Sequence, residues 1–278
     1  MRLLLFFLLF FCLKISFAQS PSSPAPHLEN TGTSGYVKIN GIKLFYKEIG
    51  KGAPILFLHG GLGTSEEHFS SQISAFSQSH RVITFHTRGH GKSEFDNTPF
   101  SYELFADDTY KFLQEMKIDS IQIVGFSDGG IVGALLAIQH PKMVKKLVMI
   151  GANATTDAIK PETLAWVKGW NIGKMTAFVK RSFTEHPMPD KLEQFVQNMQ
   201  RLFLEQPNLK DTELKSITCP VLLIAGDKDL IKTEHQLQLH QTIPDSRLCI
   251  LPGTGHDAQI EQDEIVNKLL QAFLKDDK

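Results

Sequence analysis

The sequence has no excess of positive or negative charge. It also has no histidines and cysteines at the spacing of metal ligands, and no phosphate-binding loop. Its 29 Lys and Arg against 30 Asp and Glu leave a formal net charge of −1 over 278 residues, so we predict no nucleic-acid partner. His and Cys are scattered rather than spaced as ligands, and we predict no metal and no cofactor. Gly91 to Ser93 read Gly-Lys-Ser but lack the preceding strand-to-helix loop that binds phosphate.

The only long apolar run lies at the N-terminus. Arg2 precedes the apolar stretch from Leu3 to Leu13, and Ser16 and Ala18 supply small residues at positions −3 and −1 of a cleavage site. This pattern predicts a signal peptide over residues 1–18, and a retained anchor is the alternative. We therefore expect export to a periplasm or out of the cell, without stable membrane insertion after cleavage.

After the leader, residues 19–34 are rich in Ser, Pro, Thr and Gly and are predicted to be a flexible linker. Residues 35–278 are long enough for one α/β domain with a small insertion. Two cysteines, Cys219 and Cys249, would remain after cleavage. Export permits a disulfide between them. Both lie near or within predicted apolar strands, so two free thiols are the alternative.

The rest of the chain alternates between short apolar runs and segments with helical spacing, which predicts βαβ units and a mostly parallel sheet. Asn40-Gly41 between two extended runs indicates a hairpin. From about residue 155 to 216 no strand is indicated, which predicts a helical insertion. Further strands are expected at Pro54–Leu58, Arg81–Phe85, Ile121–Val124, Val144–Ile150, Val221–Ala225 and Arg247–Leu251, and helices at 65–78, 102–116, after Gly130 and at Gln259–Leu274.

The most informative motif is Gly-x-Ser-x-Gly at Gly125 to Gly129, with Ser127 at its centre. A buried strand is predicted before it, and a helix of small apolar residues after it. A serine on a sharp turn between strand and helix is typical of a nucleophile elbow. The glycines allow the strained turn and the close approach of strand and helix.

A serine nucleophile needs a base, and the base needs an orienting group. His256 follows the last predicted strand and is the candidate base. Asp229 follows the preceding strand and is the candidate acid, while Asp227 is the alternative and could cap the turn instead. The resulting chain order is Ser, Asp, His, which is the order of α/β-hydrolases. The oxyanion would be bound by the N–H of Asp128 and by the loop at Gly61 and Leu62.

Three further histidines follow predicted strands and compete with His256 as candidate bases. His59 is interpreted as structuring the oxyanion loop. His86 and His90 are interpreted as stabilising the turn from Arg88 to Gly91.

Five motifs in this order resemble the α/β-hydrolase superfamily, and the resemblance covers the whole mature region. They are His59-Gly-Gly, Arg88-Gly-His-Gly-Lys-Ser, the serine elbow, Gly226-Asp-Lys-Asp and Gly253-Thr-Gly-His. The resemblance implies an α/β-hydrolase fold, with the helical insertion as a lid. One departure is His86, where the superfamily usually has Asp, and it puts the packing of this turn in doubt.

A narrower resemblance covers Gly125 to Ala154 and is to the biphenyl hydrolase-like group, which hydrolyses α-amino-acid esters. It implies that Asp128 holds the ammonium group of the substrate. The negative charge of an unpaired carboxylate at Asp128 would oppose the developing oxyanion. A cation on the substrate could neutralise this charge, or the carboxylate could instead accept hydrogen bonds from loop N–H groups. Trp166, Trp170, Phe178 and Phe183 of the insertion could line an apolar pocket, or pack among themselves instead.

The sequence therefore predicts an exported serine hydrolase that cleaves carboxylic esters, including α-amino-acid esters, through an acyl-enzyme. Its expected partner is a small-molecule ester. The same residues leave open a carbon–carbon bond hydrolase, a lactonase, a cofactor-free haloperoxidase or an N-terminal peptidase. A ligand-binding member of the fold without turnover is the alternative from another class.

Overall fold

The structure is a computed structural model that describes residues 32–173, 179, 183 and 186–275. The predicted signal peptide, residues 1–18, and most of the predicted linker, 19–34, lie outside these residues. In the part of the chain that is described, no helix is both long enough and apolar enough to cross a bilayer.

Eight strands form one sheet in the order β1-β2-β4-β3-β5-β6-β7-β8. The pairs β1–β2 and β2–β4 are antiparallel, and the other five pairs are parallel. The sheet is therefore mostly parallel, as predicted, with an antiparallel hairpin at one edge. The strands are β1 (Thr33–Ile39), β2 (Ile42–Ile49), β3 (Ala53–Leu58), β4 (His80–Phe85), β5 (Ile121–Phe126), β6 (Val144–Ile150), β7 (Val221–Gly226) and β8 (Ser246–Leu251).

The predicted hairpin turns at Asn40 and Gly41. Both residues have positive φ, +47° and +86°, which is the requirement of a two-residue type I′ turn. Strand β1 begins at Thr33, which pairs with Glu48. The last two residues predicted as linker are therefore part of the sheet.

Nine α-helices are present among the described residues: α1 (Ser65–Phe76), α2 (Tyr102–Glu115), α3 (Asp128–Gln139), α4 (Pro161–Lys168), α5 (Leu192–Glu205), α6 (Asp211–Leu214), α7 (Thr233–Thr242), α8 (Ala258–Glu261) and α9 (Asp263–Leu274). Helix α7 was not predicted from the sequence. The prediction of one continuous helix over Gln259–Leu274 was wrong, because the chain breaks at Gln262. A continuous helix would pair the Gln259 carbonyl with the Asp263 N–H, but that carbonyl accepts from Gln72 Nε2 on α1 at 3.0 Å.

The central strands alternate between two apolar layers, one on each face of the sheet. Leu56 and Leu58 of β3 pack into the layer that contains residues of α2 and α3. Ile55 and Phe57 pack into the layer that contains residues of α1 and α9. Because both faces are covered, these strands are apolar throughout rather than alternating with polar residues.

Between β6 and β7 the described residues form short 3₁₀ turns and the helices α4, α5 and α6, with no strand of the sheet. Cys219 is buried just before β7, and Cys249 lies half-buried on β8. Both are free thiols, and burial raises the pKa of Cys219 to about 11.

Candidate active site

Ser127 occupies the turn between β5 and α3 with φ +49° and ψ −115°. Positive φ is uncommon and strained for a residue other than glycine. A Cβ at Gly125 would lie 2.3 Å from the Gly129 carbonyl oxygen, and one at Gly129 would lie 2.1 Å from the Leu58 carbonyl oxygen. Only glycine fits at these two positions, as the strand–turn–helix motif predicted.

Asp229 and His256 are brought into direct contact at the ends of β7 and β8. His256 Nδ1 donates to Asp229 Oδ1 at 2.7 Å, and the same oxygen accepts from the Ile231 N–H at 2.9 Å. Asp229 is buried, with 1% of its surface exposed. Because Nδ1 donates, Nε2 is the nitrogen left to act as a base. Burial alone would lower the pKa of His256, but the charge and hydrogen bond of Asp229 outweigh it and the net shift is upward.

The alternative carboxylate, Asp227, has another contact. It is exposed, and its Oδ1 accepts from the Thr254 N–H at 3.2 Å. Asp227 therefore holds the loop that leads to His256, in agreement with the alternative interpretation of a capping carboxylate.

The loop from His59 to Leu62 crosses directly over Ser127. A Cβ at Gly60 would lie 2.8 Å from the Phe126 ring and 3.1 Å from Ser127 Cβ. Gly61, Leu62 and Asp128, the predicted oxyanion residues, all line one cavity together with Ser127 and His256.

His59 supports this loop, in agreement with its interpretation from the sequence. Its Nδ1 donates to the Gly60 carbonyl at 2.7 Å, and its Nε2 accepts from the Thr87 N–H at 3.0 Å. Burial lowers the pKa of His59 to about 4, so the ring is neutral near pH 7.

The turn that follows β4 is held by the other two histidines. His86 Nε2 donates to Glu66 at 2.7 Å, and His86 Nδ1 accepts from the Lys92 N–H at 3.1 Å. His90 Nδ1 lies 3.0 Å from the Arg88 carbonyl oxygen. The departure at His86 is therefore accommodated by a hydrogen-bonded carboxylate, that of Glu66, on α1.

Asp128 is almost fully buried, with 6% of its surface exposed. Its Oδ1 accepts from the Tyr102 hydroxyl at 2.9 Å, whereas its Oδ2 has no hydrogen-bond partner among the described residues. A Cβ at Gly61 would lie 2.8 Å from Oδ2, so this oxygen faces the oxyanion loop. Burial raises the pKa of Asp128 to about 7, against the opposing effects of Tyr102 and His256.

The cavity has a volume of about 180 Å³, which is room for a small organic ligand rather than a single water. One wall is apolar and is formed by residues of α4 and α5 and of the loops after β3, β6, α4 and β7. Asp128 and Asp257 give the cavity two carboxylates, and no Lys or Arg occurs among the lining residues that the structure describes. The apolar wall consists of Leu62, Ile159, Trp166, Val167, Trp170, Phe203, Leu230 and Ile231.

Two of the four aromatics predicted as pocket residues, Trp166 and Trp170, line this cavity. Trp166 is 53% exposed and packs edge-on against Trp170 at 5.0 Å. Phe178 lies outside the described residues. Phe183 packs on Phe195 at 4.8 Å and is not among the lining residues, which agrees with packing inside the insertion.

Tyr102 and His68 are among the site residues that the sequence did not predict. Tyr102, the first residue of α2, reaches Asp128 across 26 positions of sequence. His68 on α1 lines the cavity and accepts from the Gly60 N–H at 3.2 Å. No local pattern marks either residue, although His68 falls on the helix that directly follows the oxyanion loop. Among the described residues, no group of His, Cys, Asp and Glu is arranged to hold a metal ion.

The sheet order, the serine turn after β5 and the polar residues beyond the parallel strand ends together define an α/β-hydrolase. This is the class of protein to which the fold and the site point.

Comparison with known proteins agrees. The family model of the alpha/beta hydrolase fold matches residues 53–173. The serine hydrolase BPHL of Homo sapiens is 27% identical over 269 residues, covering 91% of this chain and 90% of that protein. The 3-oxoadipate enol-lactonase 2 of Acinetobacter baylyi is 26% identical over 274 residues, covering 91% and 98%.

Among solved structures, Est816, titled as an N-acyl homoserine lactone degrading enzyme, is similar with a TM-score of 0.69 at 26% identity. The match covers 86% of this chain and 100% of that one. The chain therefore has the α/β-hydrolase fold and is a hydrolase.

Proposed function

We propose that this hydrolase cleaves carboxylic esters through an acyl-enzyme on Ser127. The observation that carries the proposal is the 2.7 Å hydrogen bond between Asp229 and His256, at a cavity that His256 shares with the strained Ser127 turn. Asp229 would hold His256 with its proton on Nδ1, which leaves Nε2 to take the proton of Ser127 Oγ.

In the first half-reaction, Ser127 Oγ attacks the ester carbonyl carbon, and its proton passes to His256 Nε2. The carbonyl oxygen becomes an oxyanion that accepts from the N–H groups of Asp128 and Gly61. The carbon–oxygen bond to the alcohol then breaks, and the His256 imidazolium gives its proton to the leaving oxygen. In the second half-reaction, His256 takes a proton from water, the resulting hydroxide attacks the acyl-enzyme, and Ser127 leaves with its proton restored.

We further propose that an α-amino-acid ester is the preferred substrate. Asp128 Oδ2 is buried, lines the cavity and lacks a partner among the described residues. An ammonium group beside it would pair with the carboxylate and favour its ionised form. The likeness to BPHL and to the biphenyl hydrolase-like motif supports the same role. A hydrogen bond to a charged group contributes about 1.5–3 kcal/mol, equivalent to roughly 10- to 150-fold in kcat/KM.

Lactone hydrolysis is the second candidate, and the relatives favour it. One relative is named an enol-lactonase, and one similar structure is titled as degrading N-acyl homoserine lactones. The apolar wall would suit a neutral lactone with an acyl chain. The carboxylates of Asp128 and Asp257 would oppose a substrate that carries its own carboxylate.

The test compares kcat/KM for phenylalanine benzyl ester and for its N-acetylated twin. We expect the free amine to be favoured by roughly 10- to 100-fold or more, and Asp128→Asn to remove the preference while retaining hydrolysis of the acetylated ester. Equal turnover of the two esters by the wild type would overturn the amine role and direct the search to neutral lactones.

The mechanism itself is tested by labelling with a fluorophosphonate probe. Wild-type protein should be labelled, and Ser127→Ala should be neither labelled nor active although it remains folded. Ester hydrolysis that survives in folded Ser127→Ala would remove Ser127 as the nucleophile. A wild-type protein that binds esters without labelling or turnover would instead be a binding protein.

A further inference from the structure

The peptide groups on both sides of Gly60 are each held by a histidine. The Gly60 N–H donates to His68 Nδ1 at 3.2 Å. The Gly60 carbonyl accepts from His59 Nδ1 at 2.7 Å. Glycine is the most conformationally free residue, so these two hydrogen bonds restrict the orientation of the Gly60 peptide groups.

The direction of this loop decides where the oxyanion donor points. The Gly60 carbonyl and the Gly61 N–H belong to one planar trans peptide and point in opposite directions. Because the carbonyl is turned toward His59, the Gly61 N–H is turned away from His59. A donor that is fixed before the reaction stabilises an oxyanion better than one that must first reorient.

We propose that His68 is a positioning residue that fixes the oxyanion loop by accepting the Gly60 N–H. The proposal rests on the ester hydrolysis proposed above and adds a residue that acts through Gly60 and Gly61 rather than on the substrate. His59 holds the peptide after Gly60, and His68 holds the peptide before it. Together they leave this glycine little room to rotate.

The surroundings of His68 keep it suited to this role. A Cβ at Gly63 would lie 2.5 Å from its Cε1 atom, so glycine makes room for the ring against the loop. The ring packs edge-on against Phe126 at 5.0 Å, and Phe126 also packs on His256 at 4.9 Å. Burial, with smaller effects of His59 and His256, lowers the pKa of His68 to about 3. The ring is therefore neutral near pH 7, with Nδ1 free to accept.

The helix that carries His68 is itself anchored beside the loop. Thr64 caps α1, and its N–H donates to Glu67 Oε2 at 2.8 Å in a capping box. The His68 N–H closes the first turn by donating to the Thr64 carbonyl at 3.0 Å. This capped first turn places His68 next to Gly60, and the helix kinks directly after it at Phe69, where φ is −131° and ψ is 23°.

The test uses two variants of nearly equal shape, His68→Asn and His68→Leu. Asn offers an oxygen close to the position of Nδ1, whereas Leu offers no acceptor, and both lose the ring contact with Phe126. A neutral hydrogen bond contributes about 0.5–1.5 kcal/mol, so we expect His68→Leu to lower kcat by roughly 2- to 13-fold with little change in KM. His68→Asn should recover most of this loss.

The second readout is inhibition by an alkyl boronic acid, which forms a tetrahedral adduct with a serine nucleophile. His68→Leu should weaken this inhibition by the same factor as it lowers kcat, and His68→Asn should restore it. Thermal unfolding establishes that both variants are folded.

The outcomes separate the two proposals. Equal kcat in the two variants, or a change confined to KM, would overturn the positioning role while Ser127-dependent turnover of the wild type upholds the mechanism. A wild type without Ser127-dependent turnover would overturn the proposed function and the positioning role together.

Discussion

Replacing Asp128 by Asn should stabilise the protein while it removes the proposed recognition of amines. The carboxyl group is 6% exposed, and burial raises its pKa from 3.8 to about 7. The unfolded chain therefore loses this proton near pH 4, whereas the folded chain keeps it until about pH 7. Between these values the unfolded state binds fewer protons, so raising the pH favours unfolding.

The size of the effect follows from the shift in pKa. A change from 3.8 to about 7 corresponds to an upper bound of about 4 kcal/mol, at about 1.4 kcal/mol per unit. Asn does not titrate, and its Oδ1 can still accept from the Tyr102 hydroxyl. We therefore expect the advantage of Asp128→Asn in the free energy of unfolding to grow by up to about 4 kcal/mol from about pH 4 to about pH 8.

The assay is urea unfolding across this pH range, followed by the fluorescence of Trp166 and Trp170, the two tryptophans of the chain. Groups that titrate identically in both proteins cancel in the difference. Asp227→Asn, which changes an exposed carboxylate, is the control and should follow the wild type. A difference between Asp128→Asn and wild type that stays constant with pH would refute the reasoning, because Asp128 would then ionise at its ordinary pKa.

Two further predictions concern the charged groups of the site. Asp229→Asn should lower kcat by roughly 10⁴-fold, because the amide favours the wrong tautomer of His256. The kcat of Asp227→Asn should stay close to that of the wild type. Similar losses of kcat in both variants would contradict the assignment of Asp229 as the acid that orients His256. Tyr102→Phe removes a hydrogen bond that favours the ionised form of Asp128, so it should raise the pKa of this carboxyl group. The rising limb of kcat/KM against pH should therefore move to higher pH for the amine ester and not for its acetylated twin. An unmoved limb would argue against ionised Asp128 as the amine-binding form.

Local patterns were sufficient for the strands and for the residues at their ends. The turn at Asn40 and Gly41 needs positive φ, and the runs at β5 and β7 are apolar because both faces of the sheet are covered. Parallel strands end at one edge, so residues that follow β7 and β8 are neighbours whatever lies between them in sequence. The pairing of Asp229 with His256 could therefore be predicted from the sequence.

Other features depend on contacts between distant segments and left no local signal. The chain breaks at Gln262, next to the Gln259 carbonyl that accepts from Gln72 on α1. Tyr102 reaches Asp128 because α2 and α3 pack together on one face of the sheet. His68 meets Gly60 through the capped start of α1. In each case the partner is determined by tertiary packing, which the periodicity and spacing of residues in the sequence do not predict.

The acidic lining of the cavity also bears on how a catalytic cycle ends. Hydrolysis of an ester converts a neutral carbonyl group into a new carboxylate beside Ser127. Asp128 and Asp257 line the same space, and no Lys or Arg is among the described residues around it. In the ester hydrolysis proposed above, the ionised forms of Asp128 and Asp257 would repel this new carboxylate. The repulsion would speed the release of the acid product, while the equilibrium between ester and products stays that of the uncatalysed reaction.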